Sequence, residues 1–199
     1  MASLDKSFSS THEPMAAALG IGIDVEEPVG NMIIDIGGGT TGITVIALAG
    51  IVCDQSIRIA GDEFTADIME ALRRYHSLLI GERTAEQIKI HVGAALKDLD
   101  NPPDDMPVNG RDLVTGIPKQ IMVTYQEVAE ALDKSIFKIE EAILKALETT
   151  PPELASDIYR RGLYLTGGGA LLRGLDKRLS QKIKLNSGST ISRGSLVNR

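Results

Sequence analysis

The sequence predicts an α/β fold, and three observations carry that prediction. Short, β-rich apolar runs follow one another at residues 31–36, 43–48 and 51–59, which is typical of consecutive antiparallel strands. Downstream segments space their apolar side chains three and four residues apart, as amphipathic helices do. Glycine makes up 20 of the 199 residues, and two runs of three glycines each follow a predicted strand. Excess glycine in an aliphatic chain indicates tight turns or close approach of the backbone to a ligand.

The composition limits the class of protein. A length of 199 residues allows one domain or one and a half. The 21 basic and 27 acidic residues give a net charge of −6, which argues against broad binding of nucleic acid. The longest apolar stretch, residues 43–53, is shorter than the roughly 20 residues of a membrane-spanning helix. The single cysteine, Cys53, excludes an internal disulfide and fits a reducing compartment. Together, these observations lead us to expect a soluble, cytoplasmic protein.

The elements are assigned in order from the amino terminus. Residues 1–12 are small and polar and predict a flexible lead, and Glu13-Pro14 then begins a helix, because proline suits the first helical turn. The first strand ends at three glycines, and Ala49-Gly50 joins the next two strands as a hairpin. We expect Asp62 to cap a helix over residues 63–79.

The middle of the chain predicts a helix, a hairpin and a longer helix. The first helix covers residues 84–96, after which prolines enforce a loop. Residues 107–114 and 120–123 predict the two strands of the hairpin. Thr124 and Glu127 have the spacing of a capping box, so a long helix with a buried apolar stripe follows.

The last part predicts a helix over 153–161, a strand over 163–165, a glycine turn and a final helix over 170–182. Residues 186–199 contain few core-forming residues and no acidic group. We expect this tail to be disordered or weakly ordered, and it has the character of a linker, a frameshift product or a sequence added in cloning.

The first group of candidate functional residues follows the first strand. That strand brings the Asp35 carboxylate to its carboxyl end, and Gly37, Gly38, Gly39 and Thr40 come next. Glycines let successive backbone N–H groups turn toward one anion. A carboxylate beside phosphates can hold Mg²⁺ directly or through water. The alternative interpretation is a flexible hairpin turn without a ligand.

The second group is another glycine turn, made of Gly167, Gly168 and Gly169, which also stands at a strand end and opens a helix. A helix amino terminus favours negative charge or polar ligand atoms. Close packing of a helix on a strand is an equally good explanation of these glycines. Two such turns in one chain favour a ligand site more strongly than either turn does alone.

Three other charged groups have two interpretations each. Glu13, at a helix start, could orient or deprotonate an attacking water, or it could simply stabilise the helix. Glu86 and Lys89 lie three residues apart on one helix face, where they could hold ribose hydroxyls or form a solvated ion pair. The three histidines show no ligand spacing, so we expect no structural zinc site.

Taken in order, five stretches of the sequence resemble the actin-type ATPase superfamily, and most of all its MreB/Mbl family of bacterial actins. The stretches are residues 13–18, 35–41, 86–89, 151–158 and 165–172. The resemblance runs from about residue 13 to 185 and corresponds to the second half of such a protein. It implies an actin-like (ribonuclease H-like) ATPase domain over 13–185, with a mixed sheet, flanking helices and a small α+β subdomain inserted at roughly 80–148.

The resemblance also implies a function. A complete family member binds ATP or ADP with Mg²⁺ between two domains, forms filaments, and works with the cell-shape machinery at the inner membrane surface. By analogy, Glu13 positions the hydrolytic water with help from Thr40, and Asp35 faces Mg²⁺. The first glycine turn and Thr40 form a phosphate loop, and the second glycine turn packs beside the adenosine. Glu86 and Lys89 contact the ribose or the adenine.

The sequence also departs from the family pattern. The first domain, with its own phosphate loop and membrane-contacting elements, is missing, and the residues after 185 diverge. Because half a cleft cannot surround a triphosphate, we expect weak binding and little turnover by this chain alone. Three alternatives stay open: a small-molecule kinase, a chaperone-type ATPase of the same superfamily, and a non-catalytic module that binds filaments.

Overall fold

The computed structural model describes Gly22, residues 26–184 and residues 190–193, the last four by their backbone alone. The strands in this part are β1 (Asn31–Ile36), β2 (Thr41–Ala47), β3 (Gly50–Ile57), β4 (Leu78–Leu79), β5 (Met106–Asp112), β6 (Pro118–Val123), β7 (Gly162–Thr166) and β8 (Thr190–Arg193). The helices are α1 (Gly61–His76), α2 (Glu82–Val92), α3 (Tyr125–Thr149), α4 (Pro152–Arg161) and α5 (Leu175–Ile183), and a 3₁₀ helix spans Gly168–Leu171.

The larger sheet is mixed and has the strand order β3-β2-β1-β7-β8. β1 pairs antiparallel with β2, and β2 with β3, as the three consecutive runs predict. β7 is parallel to both β1 and β8. The parallel pairing places the carboxyl ends of β1 and β7 side by side, with Asp35 opposite Thr166.

A second, three-stranded antiparallel sheet has the order β4-β5-β6. β5 and β6 form the predicted hairpin, and β4 adds a third strand that the sequence analysis assigned to the preceding helix. Ser77 adopts a left-handed conformation (φ 51°) and ends α1, so that Leu78 and Leu79 pair with β5 instead of continuing the helix.

The core is mostly aliphatic, with Phe64 as its largest fully buried side chain, and it joins the larger sheet to α1 and α3. The predicted capping box at the start of α3 is confirmed, because the Glu127 N–H donates to Thr124 Oγ1 and the Thr124 N–H donates to Glu127 Oε2. The predicted apolar stripe of α3 is buried without any exposure at four positions: Leu132, Ile136, Ile139 and Ile143. An apolar stripe of this width fixes one face of the helix against the sheet.

The boundaries of the two helices after β3 differ from the prediction. α1 begins at Gly61, directly after Ala60, so Asp62 lies in the first turn and is not the cap. α2 ends at Val92 instead of continuing to Leu96. The next residue, Gly93, has an extended backbone, and its α-carbon lies so close to the Lys89 carbonyl that no side chain fits.

The final helix also begins later than predicted. The residues after the second glycine turn form a 3₁₀ turn, and α5 starts only at Leu175. Gly174 separates the two, since its φ of 73° cannot be part of a right-handed helix.

β8 lies inside the tail for which we expected disorder. Thr190–Arg193 pair in parallel with Gly162–Leu165 at the edge of the larger sheet. The β-branched Thr190 and Ile191 suit a strand, and the edge of β7 offers unpaired backbone groups. The remainder of 186–199 lies outside the described residues, as do the predicted lead and Glu13. Within the part of the chain that is described, no helix is long and apolar enough to cross a membrane.

Candidate functional site

The two glycine turns lie next to each other, at the ends of β1 and β7. An added Cβ on Gly167 would meet the Ile36 carbonyl oxygen and Asp35 Oδ1, and one on Gly169 would meet the Ile36 side chain. The backbone of the second turn therefore packs directly on the last two residues of β1. This contact brings the Asp35 carboxylate to the same place as the second glycine turn.

The first glycine turn is held by hydrogen bonds within the turn and from α1. The Gly37 N–H donates to the Thr40 carbonyl over 3.0 Å. The N–H groups of Gly61 and Asp62, at the start of α1, donate to the carbonyls of Gly37 and Gly38 over 3.0 and 2.8 Å. Residues 38–40 are exposed, so a ligand can reach their backbone. The turn is thus held by hydrogen bonds from α1 on one side and is exposed to solvent on the other.

The Asp62 carboxylate stands beside the first turn. Its oxygens lie 3.5 and 3.7 Å from the position of a Cβ on Gly38, and one of them lies 3.7 Å from that on Gly39. Two carboxylates, those of Asp35 and Asp62, therefore flank the three glycines. Two carboxylates suit a hard cation such as Mg²⁺, which takes its remaining ligands from water and phosphate.

Glu86 and Lys89 of α2 meet α1 at the same place. The Lys89 ammonium contacts Glu86 Oε2 at 2.6 Å, the Gly61 carbonyl at 2.8 Å and Thr65 Oγ1 at 3.0 Å. Burial raises the pKa of the Glu86 carboxyl, but the hydrogen bonds from Lys89 and Thr65 outweigh burial and bring the pKa below its ordinary value. Glu86 is therefore ionised at neutral pH, and the pair is a structured junction rather than a solvated ion pair.

Thr166, the last residue of β7, adds an unusual feature. Its side chain is fully buried, and within the described residues its Oγ1 has no hydrogen-bond partner. A buried polar atom without a partner is costly and is often matched by water, an ion or a ligand. Gly168, two residues later, has no described atom within 4 Å of an added Cβ, so this side of the turn is open.

The structure thus brings together most of the predicted site residues, namely Asp35, Gly37, Gly38, Gly39, Thr40, Glu86, Lys89, Gly167, Gly168 and Gly169. Glu13 lies outside the described residues. His76 is tied to Glu127 (2.8 Å) at the start of α3 and is not among the site residues. Among the described residues, no three His, Cys, Asp or Glu side chains form a cluster that could hold a metal ion by protein ligands alone.

Thr65 was not among the predicted site residues, and Asp62 was predicted only as a helix cap. Thr65 is 21 positions away from Glu86, its bonding partner, and only the packing of α1 on α2 brings the two together. The sequence did contain a signal for a site role of Asp62. A helix that follows a strand begins near the end of the sheet, so an acidic residue in its first turn lies close to that end.

Comparison with known proteins defines the class of this fold and its family. Mbl of Bacillus subtilis is 48% identical over 173 residues, covering 87% of this chain and 51% of Mbl. MreB of Escherichia coli K12 is 48% identical over 173 residues, covering 85% of this chain and 48% of MreB. The crystal structure of Spiroplasma citri MreB5 bound to AMPPNP is similar, with a TM-score of 0.83, 39% identity, and coverage of 90% of this chain and 52% of MreB5. The ADP-bound form of MreB5 gives a TM-score of 0.84.

These likenesses and the mixed sheet define an actin-like α/β protein, as predicted. The family profile described as "MreB/Mbl protein" matches residues 6–192. The chain belongs to the MreB/Mbl family, whose curated relatives are named as cell shape-determining proteins. It spans about half the length of the curated relatives it matches.

Proposed function

We propose that this chain is the nucleotide-binding half of a filament-forming bacterial actin that takes part in determining cell shape. One observation carries the proposal. Both glycine turns, the Asp35 carboxylate and the Glu86–Lys89 pair lie together at the carboxyl ends of β1 and β7. The nucleotides in the MreB5 structures support ATP or ADP as the ligand.

The residues present fit a nucleotide with Mg²⁺. The exposed backbone of Gly38, Gly39 and Thr40 would hold phosphate oxygens, and Gly168 leaves room beside the adenosine. Asp35, with Asp62 nearby, would hold Mg²⁺ together with water and the phosphates. The bound metal supplies charge neutralisation at the phosphates. Glu86 would accept a hydrogen bond from a ribose hydroxyl.

Hydrolysis belongs, in this proposal, to the complete two-domain protein. There, Glu13 orients the attacking water and the Thr40 hydroxyl helps to place it. This chain supplies one wall of the cleft, so it binds nucleotide weakly and turns it over little or not at all. We place the complete protein in the cytoplasm, at the inner membrane surface and together with the cell-shape machinery.

Asp35→Ala is expected to abolish the dependence of ADP binding on Mg²⁺. The wild-type chain should bind ADP at least about tenfold more tightly with Mg²⁺ than with EDTA, because the carboxylate holds the ion against the phosphates. In the variant the two affinities should be equal. Titration calorimetry at millimolar ADP measures both, and Asp104→Ala, in an exposed loop, is the control. A variant that keeps the full Mg²⁺ effect would refute the metal role of Asp35.

Self-association is the second part of the proposal, and the tip of the β5–β6 hairpin supports it. Leu113, Val114 and Ile117 are 45, 82 and 61% exposed, which makes an apolar tip. Asp112 holds the turn, accepting hydrogen bonds from the Thr115 and Val114 N–H groups. These hydrogen bonds, of which the one from Thr115 has the larger effect, lower the pKa of the Asp112 carboxyl to about 2. Asp112 is therefore ionised at neutral pH and keeps both hydrogen bonds. A rigid, apolar tip suits contact with the next copy of the chain.

Val114→Asp is therefore expected to weaken self-association at least about tenfold, since it places a charge at the centre of the apolar contact. Sedimentation velocity over a range of concentrations measures the association constant. Tyr159→Asp, a comparable change on the half-exposed face of α4, should leave it unaltered. Equal association of Val114→Asp and wild type would remove the hairpin tip from the contact.

A further inference from the structure

Thr65 of α1 is the point where the two parts of the candidate site meet. Its side chain is 4% exposed, and its hydroxyl accepts a hydrogen bond from the Lys89 ammonium over 3.0 Å. Two acceptors lie within reach of the same hydroxyl, the Gly61 carbonyl at 3.0 Å and Glu86 Oε2 at 2.9 Å. A threonine hydroxyl has one proton, so it can donate to one of the two acceptors at a time.

Gly61 continues this network to the first glycine turn. Its carbonyl accepts from Lys89 and lies within reach of Thr65, and its N–H donates to the Gly37 carbonyl. An added Cβ on Gly61 would lie 3.2 Å from the Gly37 oxygen and 3.4 Å from the Lys89 nitrogen. The Gly61 carbonyl belongs to the same peptide unit as the Asp62 N–H, which donates to the Gly38 carbonyl over 2.8 Å. This one peptide unit therefore separates the ammonium group on α2 from the backbone that would cradle phosphates.

Lys89 is fully engaged within the protein. Its ammonium has three protons, and its three acceptors are the Gly61 carbonyl, Thr65 Oγ1 and Glu86 Oε2. Glu86 makes both of its bonds through Oε2, and its side chain is 47% exposed. Of this pair, Glu86 has the group that can meet a ligand, while Lys89 fastens α2 to α1.

We propose that Thr65 is a positioning residue that couples the nucleoside side of the site, at Glu86, to the phosphate side, at Gly37–Gly39. The inference rests on the proposed function of this site. When a ribose hydroxyl donates to Glu86, the carboxylate accepts less from Thr65, and the Thr65 proton turns to the Gly61 carbonyl. The Gly61 carbonyl then accepts from both Thr65 and Lys89, which polarises the Gly61–Asp62 peptide unit and strengthens the hydrogen bond from the Asp62 N–H to the Gly38 carbonyl in the glycine turn. Adenosine and phosphate binding therefore favour each other.

The coupling is measured with the two halves of the ligand as separate probes. The affinity of the wild-type chain for inorganic pyrophosphate, followed by NMR titration, should rise about fivefold when adenosine is present at saturation. Thr65→Val keeps the shape and removes the hydroxyl, and it should reduce this ratio to about one. Thr65→Ser restores the hydroxyl and should restore the ratio. Thr150→Val is the matched control, since Thr150 is also buried and bonds the carbonyl four residues earlier.

Amide hydrogen exchange tests the same network without any ligand. The N–H groups of Gly61 and Asp62, which donate to the first turn, should exchange about fivefold faster in Thr65→Val than in wild type, Thr65→Ser or Thr150→Val. Unchanged exchange in Thr65→Val would overturn the positioning role.

The outcomes separate the inference from the function on which it rests. If the wild-type chain binds both probes and the ratio is one, the coupling is wrong and the nucleotide site stands. If the wild-type chain binds neither probe nor ADP, the proposed function is overturned and the coupling with it. A ratio of about five that Thr65→Val keeps would assign the coupling to other residues and overturn the role of Thr65.

Discussion

Gly167→Ala is expected to destabilise the protein by about 3 kcal/mol or more. Gly167 has φ 82° and ψ 169°, a backbone conformation that is essentially restricted to glycine. In addition, the new methyl group would collide with the Ile36 carbonyl oxygen and crowd the Asp35 carboxylate. Neither β1 nor β7 can move away, because the two strands are paired in the centre of the sheet. Urea unfolding followed by circular dichroism measures the loss.

Gly168→Ala is the matched control for this prediction. It adds the same methyl group one residue later, where no described atom lies within 4 Å and φ is not positive. Its effect on the free energy of unfolding should stay within about 1 kcal/mol. Equal losses in the two variants would show that the second turn is not fixed by packing on β1, and that its glycines have another purpose.

Arg178→Met is expected to cost about 3–5 kcal/mol of stability. Arg178 Nε donates to Glu140 Oε1 over 2.6 Å, and the side chains of Arg178 and Glu140 are 14 and 4% exposed. Without the guanidinium, the buried Glu140 carboxylate keeps one ion-pair partner among the described residues, Lys182 at 3.7 Å. The methionine fills the volume but leaves that charge largely uncompensated, which is what makes the loss large. Urea unfolding again gives the free energy.

Two further variants separate the buried pair from ordinary surface charge. The double variant Arg178→Met with Glu140→Gln removes the uncompensated charge and should recover a large part of the loss. Lys177→Met, next to Arg178 on α5, breaks an exposed pair with Asp100 and should cost less than about 1 kcal/mol. A loss in Lys177→Met as large as that in Arg178→Met would contradict the argument from burial.

Local signals in the sequence predicted a large part of the fold. The three strands β1–β3, the hairpin β5–β6 and the capping box of α3 each follow from a pattern within a few residues, and each is present. The family resemblance added what periodicity could not supply, namely the mixed sheet. The resemblance implied that both glycine turns contact one nucleotide, and the structure places them side by side because β1 and β7 are parallel neighbours.

The features that were not predicted depend on contacts between distant segments. Leu78 and Leu79 continue the apolar spacing of α1, but they pair with β5, and only the left-handed Ser77 separates the two outcomes. The apolar residues 170–172 and Leu175 have a spacing that suits one helix, but Gly174 between them has φ 73° and ends any continuous helix there. Thr65 has no distinguishing neighbours in the sequence, and its bonds to α2 depend on how two helices pack.

The length and attachment of α3 have a mechanical consequence. β6 ends at Val123 and α3 begins at Tyr125, so a single residue joins the three-stranded sheet to a helix of 25 residues. At 1.5 Å per residue, that helix is about 37 Å long, and it contacts β2 and β3 of the larger sheet. A rotation of α3 by one degree about one of its ends would displace the other end by roughly 0.6 Å. If the hairpin contacts a neighbouring copy, as we propose, a displacement of the hairpin would be passed through α3 to the sheet that bears the glycine turns.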